Sequence, residues 1–138
     1  MIILDTNVVL EPLKPAPSQV VLDWLDRQVP ETLYLTAVSL AELLAGIDAL
    51  LQCRRRLELE QAMTRQIIPL FEGRILSFGA KAAEVFGTVR AGAQAVGNTM
   101  GFADGAIAAI ATAQGFALAT RNVRHFKGAG IELMNPWD

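Results

Sequence analysis

The stretch from Ala91 to Thr120 contains one charged side chain, Asp104, among thirty residues. Most of its neighbours are small or apolar, so a folded chain would bury much of this segment. Buried carboxylates are almost always hydrogen-bonded, ion-paired or bound to a metal. No Lys or Arg lies within one helical turn of Asp104. The sequence therefore predicts that Asp104 faces a partner from elsewhere in the chain, unless it caps a helix, as Asp commonly does.

The length of 138 residues predicts a single domain spanning 1–138. The most apolar segment, 102–119, contains an acid and is mostly Ala and Gly, too weakly apolar to span a membrane. The N-terminus has no basic segment and carries Asp5, which argues against a signal peptide. The only cysteine, Cys53, excludes an internal disulfide and most zinc sites. These features favour a cytoplasmic bacterial protein without a membrane partner.

Short apolar segments rich in β-branched residues alternate with longer helical patterns along the chain. We predict strands over residues 1–5, 32–37, 74–78, 116–120 and 131–134. We predict helices from Ser18 to Pro30, from Thr36 or Ser39 to about Cys53, from Arg54 to about Ile68 with Pro69 ending it, over 81–96 and over 102–114 with Gly115 at its end. The helix ending near Cys53 is apolar on nearly all sides, which is typical of a buried helix. The alternation predicts an α/β sandwich with a mostly parallel central sheet.

Three isolated acids follow or adjoin predicted strands. Asp5 ends the first strand, Glu42 lies near the start of the helix after the second, and Asp104 begins the helix before the fourth. Ligands of parallel sheets bind beyond the carboxyl ends of the strands, so these acids should share one edge. Their mutual repulsion is relieved by a divalent cation, and hard oxygen ligands favour Mg²⁺, with Mn²⁺ as a substitute. A water on such a metal can attack a phosphodiester. Asp5 could alternatively serve only to cap the turn after its strand.

Sequence blocks spread along the whole chain resemble PIN-domain proteins, and within them the toxin ribonucleases of type II toxin–antitoxin systems, the VapC group and its FitB-like branch. The blocks, in order, are DTNVV, AVSLAELLAG, FADGAIAAIA, LATRNVRHF and NPW. The resemblance implies a three-layer α/β/α sandwich and a Mg²⁺-dependent endoribonuclease with Asp5, Glu42 and Asp104 as its acidic site. It also implies a homodimer, an RNA substrate and a small antitoxin protein through which alone the toxin reaches operator DNA.

The chain departs from the family pattern after the fourth predicted strand. Asn122 and His125 stand at positions where relatives carry a fourth acid. Asn adds no charge, so we expect one firmly bound metal and a second that arrives only with the RNA phosphate. Residues that could orient the metal site or meet substrate are Thr6, Asn7, Thr120, Asn122, Arg121, Arg124 and His125. Each has a plainer interpretation as a turn or surface residue.

Two other functions remain open from the sequence. A decayed site would leave a non-catalytic module that binds antitoxin or RNA without cleavage. A phosphotransferase of the haloacid-dehalogenase type would need a second acid where Asn7 stands, which disfavours it. The basic cluster 54–56 is interpreted as a solvated helix end. The apolar residues Trp24, Leu25, Trp137 and the 40–51 segment could form an interface or simply pack in the core.

Overall fold

The computed structural model describes residues 1–138 and contains one five-stranded sheet in the order β3-β2-β1-β4-β5. Every neighbouring pair of strands runs parallel, as predicted. The strands are β1 (Ile2–Leu4), β2 (Leu33–Thr36), β3 (Ile75–Leu76), β4 (Ala117–Ala119) and β5 (Leu133–Met134). The first strand is central, because Ile3 lies opposite Tyr34 of β2 on one side and Leu118 of β4 on the other.

Seven α-helical segments connect the strands. They are α1 (Thr6–Leu10), α2 (Gln19–Asp26), α3 (Ala37–Asp48), α4 (Arg54–Ala62), α5 (Ile68–Leu70), α6 (Ala80–Ala95) and α7 (Phe102–Gln114). A wider π-helical turn, Met63–Ile67, joins α4 to α5. The predicted bounds of α7 are confirmed, and Gly115 ends it in the left-handed conformation with φ of 71°. Such a conformation is available to Gly without a Cβ penalty, which explains the sharp turn into β4.

Two apolar cores lie on opposite faces of the sheet. On one face, Ile3 and Leu118 pack with α6 and α7 through residues such as Val89 and Ile107. On the other face, Leu4, Leu35 and Ala119 pack with buried residues of α1, α3, α4 and the π-helical turn. Adjacent strand residues point to opposite faces, so Ile3 and Leu4 supply different cores. The result is the three-layer α/β/α sandwich expected from the family resemblance.

The interpretation of α3 as a helix buried on nearly all sides is wrong. Only Ser39, Leu43 and Ile47 are buried, and their spacing of four residues marks a single face against the sheet. Leu44 is exposed, and Leu51 just beyond the helix is 86% exposed. A helix packed on one sheet face can bury only one stripe, however apolar its other side is.

Other differences concern helix ends. The structure forms a short helix, α1, directly after β1, where the sequence indicated only a turn. The helix α2 ends at Asp26, before Pro30, while Pro69 lies within α5 and does not end the preceding helix. Proline is tolerated in a first helical turn because its missing N–H has no partner there. No helix in the structure has both the length and the apolar character that crossing a membrane would require.

Candidate active site

Asp5 is the most firmly held acid of the candidate site. It lies at the end of β1, where its backbone N–H donates to the carbonyl of Ala119 at 2.9 Å. The carboxylate is buried and accepts hydrogen bonds from Thr6 N (2.9 Å), Thr120 Oγ1 (2.7 Å) and Asn7 Nδ2 (3.4 Å). Asp5 therefore caps α1, and the same bonds fix the direction of its carboxylate.

Glu42 lies in α3, which begins immediately after β2. The hydroxyl of Thr36 accepts a hydrogen bond from Ser39 N at 3.0 Å and caps this helix. Of the two predicted capping residues, Thr36 and Ser39, Thr36 is therefore the one that caps α3. Glu42 itself is exposed, contrary to the interpretation of this helix as buried. Partial desolvation raises the pKa of its carboxyl, and the charges of Asp5 and Asp104 raise it further. The negative charges of Asp5 and Asp104 therefore act in the same direction on Glu42 as its desolvation.

Asp104 lies in the first turn of α7 and does not cap it. Gly101 occupies the N-cap position, so the capping alternative considered for Asp104 is wrong. The side chain is 34% exposed, and His125 Nδ1 lies 3.7 Å from its Oδ2. Desolvation and the charge of Asp5 raise the pKa of Asp104, whereas His125 opposes the increase. Asp104 therefore faces both the acid on β1 and the single histidine, which comes from the loop after β4.

The segment after β4 is tied to Asp5 and to the start of α1. Thr120 is fully buried, and its hydroxyl donates to Asp5 while accepting from Asn122 N at 3.0 Å. Arg121 N donates to Asn7 Oδ1 at 3.1 Å. Thr6, Asn7, Thr120 and Asn122 thus form a hydrogen-bonded frame around Asp5. Asn122 contributes only its backbone N–H to this frame, and its side chain makes no hydrogen bond within it.

The basic residues near the site differ in how they are held. The guanidinium of Arg121 lies 5.1 Å from the centre of the Trp137 ring, a cation–π contact at the C-terminus. Arg124 and His125 belong to a 3₁₀ turn, Val123–Phe126, and both are exposed. Asn98 Nδ2 donates to the carbonyls of His125 and Lys127, each at 3.0 Å. This clamp fixes the backbone that carries His125.

The cluster Arg54–Arg56 is only partly a solvated helix end. Arg55 donates to the carbonyl of Leu13 at 2.8 Å, and Arg56 pairs with Glu60 at 2.9 Å. Arg56 also donates to the carbonyl of Leu50 at 3.1 Å, so the bonds to Leu13 and Leu50 use two of the three guanidinium groups to hold α4 against preceding segments. Asp48 pairs with Arg56 at 3.9 Å and is 74% exposed, as expected of an ordinary surface acid.

The acid site has the oxygen ligands that a hard cation prefers, but its side chains are not arranged around a single ion position. No group of three or more His, Cys, Asp or Glu side chains is arranged to hold a metal ion directly. Mg²⁺ needs no such cage, because it usually takes one or two carboxylates and keeps several waters. A buried, oriented carboxylate at Asp5 with two further acids near it fits that mode of binding. A recess of about 260 Å³ lies beside Glu42, edged by Thr6 and otherwise mainly apolar.

Two notable residues escaped the sequence interpretation. Glu11 is buried; Lys14 Nζ lies 2.9 Å from its Oε2, and Ser18 N donates to its Oε1 at 3.3 Å. The hydrogen bond from Lys14 lowers the pKa of Glu11, and the charge of Arg121 adds to the effect. The spacing of Glu11 and Lys14 was the available signal. The other residue is Phe102, 64% exposed at the first position of α7, for which sequence gives no signal.

Comparison with known proteins identifies the fold and the family. The sequence matches the PIN domain over residues 2–131. The chain belongs to the PIN-domain family. A VapC ribonuclease of Sinorhizobium fredii is 41% identical over 138 residues, covering 100% of this chain and 99% of the relative. Toxin FitB of Neisseria gonorrhoeae is 40% identical over 137 residues, covering 99% of each chain.

Solved structures agree with this PIN-domain assignment. The crystal structure of FitAcB from Neisseria gonorrhoeae superposes with a TM-score of 0.93 at 40% identity and covers 99% of both chains. A FitAB complex bound to a DNA fragment gives a TM-score of 0.95 at 40% identity, covering 100% of this chain and 96% of that one. A DNA-bound VapBC complex from Salmonella typhimurium gives 0.78 at 26% identity, covering 98% and 97%. The PIN fold therefore extends along essentially the whole chain.

Proposed function

We propose that this PIN-domain protein is a Mg²⁺-dependent endoribonuclease and the toxin of a type II toxin–antitoxin pair, with Asp5, Glu42 and Asp104 as its catalytic and metal-binding acids. The observation that carries the proposal is electrostatic. The charge of Asp5 raises the pKa of both Glu42 and Asp104, although the three acids belong to separate elements. Such a concentration of like charge is costly unless a cation binds there.

Each acid has a distinct role in the proposed site. Asp5 is the oriented ligand, because three hydrogen bonds fix its carboxylate. Asp104 is the second ligand, and Glu42, exposed on α3, completes the negative pocket. Mg²⁺, or Mn²⁺ in its place, would supply charge neutralisation for the phosphodiester and lower the pKa of an attacking water. The side chains supply position and charge.

Residues around the acids orient them and meet the substrate. Thr120 and Asn7 hold Asp5, while Thr6 contributes its backbone N–H. Asn122 supports Thr120 from the other side. His125 lies beside Asp104 and can exchange protons with the solvent or the leaving oxygen. Arg121 stacks on Trp137, which keeps its cation at the edge of the site where a phosphate would approach.

The proposed partners follow from the relatives. The FitAB complex and the VapBC complex of Salmonella typhimurium are both bound to DNA. We expect this chain to bind a small antitoxin protein and to reach operator DNA only through it. The exposed side chains of Leu44, Leu50 and Leu51 are available for a homodimer or antitoxin contact. We place the protein in the bacterial cytoplasm as a single domain over 1–138.

A cleavage assay with matched variants tests the function. Purified protein is incubated with RNA and Mg²⁺ or Mn²⁺, with and without a chelator, and growth is followed on induction in cells. We expect Asp5→Asn and Asp104→Asn to lose cleavage by at least a hundred-fold and to relieve growth inhibition. Asp48→Asn, which removes an exposed acid from the same helix as Glu42, should behave as wild type.

The alternative is a PIN module that binds antitoxin or RNA without cutting. The lack of a ready-made cage of three ligands and the absence of a fourth acid at Asn122 favour it. Calorimetry with Mn²⁺ separates the two functions. The nuclease proposal would be overturned if the wild-type protein binds antitoxin but does not bind Mn²⁺ and does not cleave RNA.

A further inference from the structure

Phe102 is the only exposed aromatic residue in the protein. The chain has six Phe, two Trp and one Tyr, and the other eight are buried or partly buried. Phe102 is 64% exposed at the first position of α7. An exposed Leu or Val at the surface is ordinary, but an aromatic ring left this open presents a flat face that needs an explanation.

The ring is held in place by two others. Its centroid lies 5.2 Å from that of Phe86 and 5.9 Å from that of Phe78, and the Phe78 and Phe86 rings meet edge to face at 5.8 Å. Both supporting residues are only partly exposed. Packed aromatic neighbours restrict the rotamers of Phe102, so its outer face is presented in a fixed orientation at little further entropic cost.

An arginine without a carboxylate partner adjoins the three rings. The guanidinium of Arg90 lies 5.4 Å from the centre of the Phe86 ring and takes part in none of the salt bridges of the structure. Its side-chain stem packs on Gly105, where an added Cβ would come within 3.2 Å of Arg90 Cγ. The contact with Gly105 places this free cation beside the segment that carries Asp104.

The phenylalanine and the arginine therefore lie beside the first turn of α7, the turn that carries Asp104. Phe102 lies two residues before Asp104 and Gly105 one residue after it, all in the first turn of α7. The exposed residues of α6 around Phe86 are small or polar: Ala83, Glu84, Gly87, Thr88 and Ala91. The single exposed ring offers little apolar area for a protein interface. A nucleic acid, by contrast, could stack a base on the ring and pair a phosphate with the adjacent cation.

We propose that Phe102 stacks on a base of single-stranded RNA and that Arg90 pairs with a neighbouring phosphate, so that this stacking patch positions the strand at the acids. The proposal rests on the ribonuclease function proposed above. Single-stranded RNA is commonly bound by aromatic stacking combined with cationic contacts to its backbone. Stacking on a ring is tolerant of sequence, because every base has a π face. The patch thus supplies affinity and register for the strand.

Fluorescence of 2-aminopurine in a short single-stranded RNA reports stacking directly. The base is placed at successive positions of the oligonucleotide, and binding is measured in an Asp5→Asn background that stops cleavage. We expect quenching at one position, lost in Phe102→Leu together with a five-fold or greater rise in Kd. Phe102→Tyr should retain both signals, and Val20→Ala, an exposed apolar residue on α2, should change neither.

The arginine has its own readout. Arg90→Gln should reduce the slope of log Kd against log salt concentration by about 0.7, the value for one phosphate contact on a single strand. Arg90→Lys should keep the slope, since it keeps the charge. An unchanged slope in Arg90→Gln would contradict the phosphate contact.

These measurements can contradict the stacking proposal and the nuclease proposal independently of each other. If wild-type protein cuts no RNA yet the quenching depends on Phe102, the patch stands and the catalytic proposal falls. If wild-type protein cuts RNA and Phe102→Leu has the same Kd, KM and quenching, the patch is overturned. Light scattering identifies the competing explanation: a shift of Phe102→Leu from dimer to monomer with unchanged RNA affinity would make Phe102 a protein interface instead.

Discussion

The hydroxyl of Thr120 donates a 2.7 Å hydrogen bond to Oδ2 of Asp5, joining the residues that follow β4 and β1 across 115 positions of sequence. Thr120 is fully buried, so no water can replace it readily. The bond also places Asn122, whose N–H donates to the same hydroxyl. A single side chain therefore links the acid of the central strand to the loop that carries His125.

Thr120→Val tests this link with nearly the same shape. It leaves one oxygen of Asp5 and the N–H of Asn122 short of a partner, so we expect a loss of about 1–3 kcal/mol in the free energy of unfolding. Catalysis should fall by at least ten-fold, because the carboxylate loses a fixed direction. Denaturant unfolding and RNA cleavage measure the two effects. Thr120→Ser keeps the hydroxyl and should recover most of the stability and most of the activity. Equal losses of stability and activity in the Ser and Val variants would show that the shape of the side chain, and not its hydroxyl, is what matters.

Glu42→Gln should stabilise the metal-free protein while removing activity. The substitution takes away one of three mutually repelling charges, and Glu42 is exposed, so no buried hydrogen bond is lost. Thermal unfolding with a chelator present should show a higher Tm than wild type. Asp48→Asn removes a charge of the same sign from the same helix and controls for net charge. A Tm for Glu42→Gln equal to that of Asp48→Asn would contradict local repulsion.

The same repulsion gives a pH dependence with a defined sign. The folded pKa of Glu42 and Asp104 is raised above ordinary values of 4.5 and 3.8. Their stabilising contribution is therefore complete below those ordinary values and is lost as pH rises through the folded pKa values. Glu11 acts oppositely: its folded pKa is lowered from 4.5, so its contribution is present above 4.5 and is lost as pH falls through the folded pKa. Unfolding of the metal-free protein should show higher stability in mild acid than at neutral pH, and Glu42→Gln should flatten that slope.

Asn122→Asp restores an acid beside the frame around Asp5. We expect the added charge to tighten Mn²⁺ binding by about ten-fold or more and to favour a second ion. Titration calorimetry measures the affinity and the number of ions bound. Asn122→Ala should leave both unchanged, since the contact with Thr120 uses only the backbone of residue 122. Equal affinity in the Asp and Ala variants would show that residue 122 lies too far from the ion.

Two glycines make a matched pair for helix packing. A Cβ at Gly105 would lie 2.9 Å from Phe86 Cε2, whereas a Cβ at Gly46 meets nothing within 4 Å. Gly105→Ala should therefore destabilise the protein by about 1–3 kcal/mol as α6 and α7 are forced apart. Gly46→Ala should stabilise it by about 0.4–1 kcal/mol, because Ala restricts the unfolded chain and suits a helix. Denaturant unfolding checks both; a loss of stability in both variants would contradict the packing argument.

The placement of Asp5 directly after β1 and of Glu42 in the helix after β2 was predictable because it depends on topology. Parallel strands bring their carboxyl ends to one edge of the sheet, so the segments that follow β1 and β2 begin at the same edge. The exposure of Glu42 was not predictable, since it depends on which stripe of α3 faces the sheet. Phe102 reads in sequence as one more apolar residue of a buried helix. Its exposure follows from the docking of α6, where Gly105 admits Phe86 and Arg90 closely, and no local pattern encodes that contact.

The central position of β1 has a consequence for the order in which the protein is made. The first strand is synthesised well before one of its two neighbours, β4, which is formed by residues 117–119. Until those residues have been translated and paired, Asp5 lacks both the Ala119 carbonyl and the Thr120 hydroxyl. Pairing across so long a loop is among the later steps of folding. A partly made chain therefore carries Asp5 without the frame that orients its carboxylate, so we expect the proposed activity to arise only after β4 has paired with β1.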